Sequence, residues 1–254
     1  MFLCKIKVLD TMSLAKKALI FILSWFFVLL FTTFILFQAT SVTILDSSFI
    51  ISSLEKNQAY DKLYDAMSVN VPESAKAENK VLFKNNFNSL IKNAVSAISD
   101  PSTDYSIYEQ YFGNNSSEFK QLIPVLKEAS FLYANRIILL IVCAILLIIL
   151  ILLESILMNK LKVIVKLFFK SSITLFLYAG IMFVLTSVIF PQLLPKNNPL
   201  ISILLIAISE ILNSFTNQLL FYGVICLLFT LLLYLVIYLL GKKENPINKQ
   251  LVSN

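Results

Sequence analysis

The chain has 254 residues, of which 58% are hydrophobic and 14% charged, with a net charge of +6. A soluble domain carries about a quarter charged residues, and here the apolar residues fall in long runs, which excludes one large soluble core and favours a bilayer. With no histidine and only four glycines, a Ser-His-Asp triad, a zinc site built on histidine and a glycine-rich phosphate cradle are excluded as well.

Residues 1–17 carry Lys5, Lys7, Lys16 and Lys17 beside Asp10 and read as a cytoplasmic N-terminal segment. The first span, 18–39, holds no charge and meets the requirement of about 20 apolar residues for a bilayer-crossing helix. A cleaved signal peptide has an apolar core of about 7–15 residues and a small-x-small cleavage site. This run is longer, and Gln38-Ala39-Thr40-Ser41 is a poor cleavage sequence, so an uncleaved signal anchor is expected.

Residues 40–135 form the largest polar segment, expected as an extracytoplasmic helical domain. Phe83, Phe87, Leu90, Ile91, Ala94, Val95 and Ile98 recur at three- and four-residue steps on one helix face, with Asn85, Asn86, Asn88, Ser89, Lys92 and Asn93 opposite. Before them, Ile44, Leu45, Phe49, Ile50, Leu54, Tyr60, Leu63, Tyr64 and Met67 predict one or two amphipathic helices. After them, Phe119, Leu122, Ile123, Leu126, Ala129 and Leu132 form a further stripe. Pro72, Asp100-Pro101-Ser102 and Gly113-Asn114-Asn115 read as breaks. A small bundle results, with its aromatics as core. Asp61 and Asp65 lie one helical turn apart, where solvated surface is a better reading than a weak cation site. Asn114 and Asn115 each begin a glycosylation pattern. The Ile, Leu, Lys and Asn bias points to an AT-rich prokaryotic genome, in which that pattern has no consequence.

The second span is expected at 136–158, followed by a cytoplasmic loop at 159–170 carrying Lys160, Lys162, Lys166 and Lys170. The third, 171–190, stops before Pro191, Pro195 and Pro199. Residues 191–218 read as an extracytoplasmic loop with an amphipathic helix, 219–240 as the fourth span, and 241–254 as a cytoplasmic tail with Lys242, Lys243 and Lys249. Lysine therefore gathers on one side of the spans, which the positive-inside rule assigns to the cytoplasm, and an even number of spans puts both termini there. The net charge is an orientation signal rather than a nucleic-acid footprint.

The polar candidates are few. Glu210, Asn213 and Asn217 follow an i, i+3, i+7 spacing and share a helix face. A helix from Leu200 to Leu240 would be ~60 Å long, twice the hydrocarbon thickness, so its first half is expected outside the core as an amphipathic helix. The functional alternative is a polar stripe lining a cavity or pore, since an acid at membrane depth is usually functional. Glu154 is expected at the cytoplasmic interface near Lys160, with an inward placement as the functional alternative. Cys4, Cys143 and Cys226 read as structural, with no disulfide in the domain at 40–135. No catalytic, cofactor-binding or metal-ligating residues are predicted.

The segment Leu45-Asp46-Ser47-Ser48-Phe49, followed by Leu54 and by Tyr60-Asp61-Lys62-Leu63-Tyr64, resembles uncharacterised prokaryotic four-span membrane proteins with a helical ectodomain. That resemblance implies a fold and no activity. The order of span, large outside domain, span, short loop, span, short loop, span is similar in topology to the permeases related to FtsX and MacB, which couple a cytoplasmic ATPase to an event outside the membrane. The loop at 159–170 is short for their coupling segment, and no strand pattern is visible outside. The expected function is therefore non-enzymatic, an outside domain that binds a protein partner or senses a condition. The alternative is a transport component, as a permease subunit or an oligomeric channel.

Overall fold

A computed structural model describes residues 2–68, 72–99, 133–189 and 199–251, with 128, 130, 131 and 192 besides. Side chains are described over the same residues except 2–13, 66–67, 73–75, 97–99, 199–204, 207 and 242–251. The breaks expected at Asp100-Pro101 and Gly113, the glycosylation patterns at Asn114 and Asn115, most of the Phe119–Leu132 stripe, Pro191, Pro195 and the Cys4 thiol lie outside what is described. Every regular element among the described residues is helical: α1 (Phe2–Ser41), α2 (Ser47–Lys56), α3 (Ala59–Met67), α4 (Glu73–Ser99), α5 (Arg136–Leu153), α6 (Leu157–Val184, continued by a π-helical turn Leu185–Ile189) and α7 (Pro199–Leu251).

Four of these helices are long and apolar enough to cross a membrane, over Leu14–Ser41, Arg136–Leu153, Leu157–Ile189 and Ile208–Gly241. The chain is accordingly read as a multi-pass membrane protein. Its lipid-type surface agrees with that reading. Trp25, Leu29, Ile138, Ile145, Leu152, Leu177, Leu228 and Leu235 are all exposed, an arrangement that water would penalise and acyl chains would not.

Two helices overrun the expected boundaries for the same reason, and one stops short. Residues 1–17 and 159–170, expected as a non-spanning segment and a loop, are helical from Phe2 and from Leu157. Neither glycine nor proline occurs between Phe2 and Ser41 or between Leu157 and Ala179, so nothing stops either helix where it leaves the apolar run. The second span, expected to 158, ends at Leu153. The connection is short: the Glu154 amide donates to the Ile151 carbonyl, and the Ile156 carbonyl accepts from Asn159 and Lys160 to start α6. The long helix foreseen from Leu200 to Leu240 is present within α7, which runs unbroken for 53 residues.

The chain divides into two compact units, one of residues 1–35, 137–177 and 220–254, the other of residues 36–136 and 178–219. In the first, Phe27, Val28, Cys143, Leu150 and Leu167 form a core drawn from α1, α5 and α6. The Phe168 ring meets Phe27, Phe31 and Phe229 with centroids 6.2, 5.5 and 4.8 Å away, edge to face, the arrangement that aromatic quadrupoles favour. Close approach of α6 and α7 depends on two small residues. The buried Ser172 hydroxyl donates to the Gly223 carbonyl at 2.9 Å, and a Cβ at Gly223 would come within 3.0 Å of the Phe176 ring. One glycine opposite one serine is enough for this approach.

In the second unit, Asp46 caps α2, accepting from the Ser48 and Phe49 amides at 2.9 and 3.1 Å. Asn57 and Gln58 reverse the chain into α3, with Gln58 left-handed at φ 54°. Both helices pack on α4. Leu54, Ala59 and Tyr60 are buried against Ile50, Phe87 and Ile91, so the α4 stripe read from the sequence supplies this contact. Tyr60, Phe83, Phe87 and Tyr64 make a run of ring contacts at 5.8 Å. The Tyr60 hydroxyl donates to Asn88 Oδ1. Asp61 pairs with Lys80 at 3.1 Å and Glu55 with Lys84 at 2.7 Å, so α2 and α3 are each tied to α4 by an ion pair.

Candidate functional site

Glu210 lies on α7 in the second unit, and the α2 terminus meets it. The Asn57 amide donates to the Ser53 carbonyl at 2.8 Å, which closes α2 and fixes the direction in which residues 56 and 57 project. From there the Lys56 ammonium donates to Glu210 Oε1 at 2.6 Å and the Asn57 side chain donates to Oε2. Both carboxylate oxygens are thus occupied. The Lys56 side chain is 76% exposed and that of Glu210 28%, so the acid is the more sheltered partner. The α2 terminus thus meets the Glu210 carboxylate with a charge and an amide.

Asn213 and Asn217 are both exposed on the same helix. The three residues linked by sequence spacing are therefore divided: Glu210 is held by α2, and the two asparagines are turned outward. The sequence signal for Lys56 and Asn57 was weak, since nothing local ties residue 56 to residue 210. A helix-terminal Lys-Asn pair followed by a turn gave the only hint.

Glu154 lies in the first unit, in the short connection between α5 and α6. Lys16 is its ion-pair partner at 3.6 Å, because α5 ends at Leu153 and its terminus falls beside α1. Glu154 also lines a cavity of about 260 Å³. The rest of the lining comes from two helical stripes. From α1 come Lys17, Ile20, Phe21 and Ser24, spaced i, i+3, i+4, i+7. From α6 come Val163, Lys166, Leu167 and Lys170, with the same spacing. The Ser24 hydroxyl already donates to the Ile20 carbonyl at 2.6 Å. The Lys170 ammonium stands 5.1 Å from the Trp25 ring centroid and 5.6 Å from that of Phe21. In the sequence, Lys17, Lys166 and Lys170 stand out only as orientation charges.

Among the described residues no group of His, Cys, Asp or Glu is gathered as a metal site would require. No family model, curated protein or solved structure matches the chain. The functional reading therefore rests on the two polar sites themselves.

Proposed function

We propose that this is a non-enzymatic multi-pass membrane protein whose helical domain at 40–135 lies outside the cytoplasm and binds a protein partner or senses a condition there, with both termini cytoplasmic. The observation that carries the reading is the grip of Lys56 and Asn57 on Glu210. It ties the domain's α2 to a helix that continues without a break through the fourth candidate span. An event that shifts α2 is thereby felt by a membrane helix, which is what a sensing or adaptor domain needs and what a free-standing domain lacks.

The lysine distribution supports the orientation. The alternative, a transport component, draws on Asn213 and Asn217, which are exposed on an apolar helix. The pairing of Glu210 with Lys56 weighs against a pore reading that leaned on its charge.

Two measurements test the proposal. In a variant without native cysteines, Ser89→Cys on α4 should react with a membrane-impermeant maleimide in intact cells, and Lys249→Cys only after permeabilisation. The reverse pattern overturns the orientation. A photo-crosslinking residue at Val81 or Leu82, exposed at 62% and 58% on α4, should give discrete crosslinked species in cells. Their absence at every exposed α4 position overturns the partner reading.

A further inference from the structure

Among the residues that line the cavity between α1 and α6, three ammonium groups face one carboxylate. Lys17, Lys166 and Lys170 line it, and the one carboxylate among its lining residues, Glu154, is shared with Lys16. Lys166 and Lys170 are i, i+4 neighbours on one helix face, a like-charge pair that destabilises a helix. Lys17 enters from the opposite wall. Lys17 and Lys166 are exposed, whereas Lys170 is half-buried and lies over Trp25 and Phe21. The remaining lining, Ile20, Val163, Leu167 and the face of Phe21, is apolar. A pocket with ammonium groups around an apolar floor fits a ligand with an anionic head and a hydrocarbon body.

The sequence places the cavity at the edge of the apolar runs. Lys17 immediately precedes the uncharged run at 18–39, and Lys170 immediately precedes that at 171–190. Headgroup phosphates lie at that level in a bilayer, and basic pockets between transmembrane helices bind them. The volume of about 260 Å³ accommodates a phosphate with part of its glycerol, and no acyl chain need enter.

We propose that this cavity binds a phosphate group, held by Lys17, Lys166 and Lys170, and that an anionic phospholipid headgroup supplies it. Glu154 sets the limit of the site. It repels a second anion and, through Lys16, keeps the α5–α6 connection against α1.

Trp25 is the single tryptophan of the chain, and it touches the site through Lys170. Its fluorescence is therefore a local reporter. The full-length protein is placed in phosphatidylcholine discs containing phosphatidylglycerol, with one lipid or the other carrying brominated acyl chains that quench by contact. Brominated phosphatidylglycerol should quench Trp25 in preference to brominated phosphatidylcholine. Lys166→Gln and Lys170→Gln should each lower the preference about fivefold. The pair Lys160→Gln, Lys162→Gln removes twice the charge of either variant from the same helix but lies outside the cavity lining, and should leave the preference in place. In a second arm, discs of phosphatidylcholine alone are titrated with inorganic phosphate at constant ionic strength. No response there together with preferential quenching assigns the lipid headgroup. A saturable Trp25 response that the Lys166→Gln variant loses keeps the phosphate site and makes free phosphate its occupant, which overturns the lipid assignment. Equal quenching by both lipids with no phosphate response overturns the site altogether. So does an equal loss in the Lys160, Lys162 control, which would mark the preference as diffuse surface charge. Circular dichroism of each variant separates these outcomes from misfolding.

Discussion

Replacing Glu210 by leucine should release α2 from α7, and the structure sets the size of the effect. The Lys56 contact is short at 2.6 Å, but the Lys56 side chain is 76% exposed, so the ion pair is worth about 0.2–1 kcal/mol. The Asn57 amide donates to a carboxylate that is 28% exposed, and a hydrogen bond to a charged, sheltered group contributes about 1.5–3 kcal/mol. The amide is the larger of the two. Lys56→Met should therefore cost less than Asn57→Ala, and Glu210→Leu, which removes both contacts, about 2 kcal/mol, or about a 30-fold rise in local opening. Glu210→Gln keeps an acceptor for Asn57 and should lie between. Hydrogen exchange in lipid discs, followed by mass spectrometry on peptides from 47–57, reads this directly. Faster exchange should be confined to α2 and the turn into α3. Exchange in that segment that is unchanged in Glu210→Leu, or accelerated equally across the whole chain, would refute the latch and remove the observation on which the proposed function rests.

Further predictions concern packing and titration. Gly223→Ala places a Cβ 3.0 Å from the Phe176 ring, where overpacking of about 1–3 kcal/mol opposes a gain of about 1 kcal/mol in helix propensity; Gly223→Ala should therefore be better tolerated in a Phe176→Leu background than alone, and a double-mutant cycle without coupling in thermal denaturation would disprove the close approach. Asp46→Ala deprives the Ser48 and Phe49 amides of their acceptor and should cost about 1 kcal/mol, seen as faster exchange in the first turn of α2. The Tyr60 phenol is pushed up from 10.0 to about 12, chiefly by burial and further by the Glu55 charge. The neutral phenol is thus the form the fold prefers: stability is intact below pH 10 and falls between pH 10 and about 12, where the unfolded chain has released its proton and the folded one has not. Tyr60→Phe should flatten that part of the pH–stability curve, and a parallel curve would contradict the burial of the hydroxyl.

Much of the architecture was legible because it rests on apolar runs. A stretch such as Ile137–Leu153 has no soluble alternative, and a stripe such as Phe83, Phe87 and Ile91 has one face to bury. The fit of α6 to α7 was not legible. It turns on Ser172 meeting Gly223 across 51 positions, and such a pair leaves no periodic trace. The same holds for Lys56 and Glu210, 154 positions apart: the sequence displayed an acid in an apolar helix and gave reason to suspect a role for it, but its partner was set by where the Asn57–Gln58 turn leaves the end of α2.

The cavity lysines were hidden for a different reason. Lys17, Ile20, Phe21 and Ser24 already follow a helical spacing in the sequence, and so do Val163, Lys166, Leu167 and Lys170. Reading 159–170 as a loop dissolved the second stripe, because residues in a loop share no face. Charge density argued for the loop, since lysines are costly in hydrocarbon. Their long stems allow them to leave it, however: an ammonium reaches the headgroup level while its helix continues. Without glycine or proline to end it, α6 runs on through the lysines, and the continued helix turns two of them toward α1. A boundary placed by charge alone thus cost the sequence reading its most specific site. In an apolar helix the informative signal is the missing breaker, and lysines beyond the end of a span should be tested for helical register before they are counted as orientation.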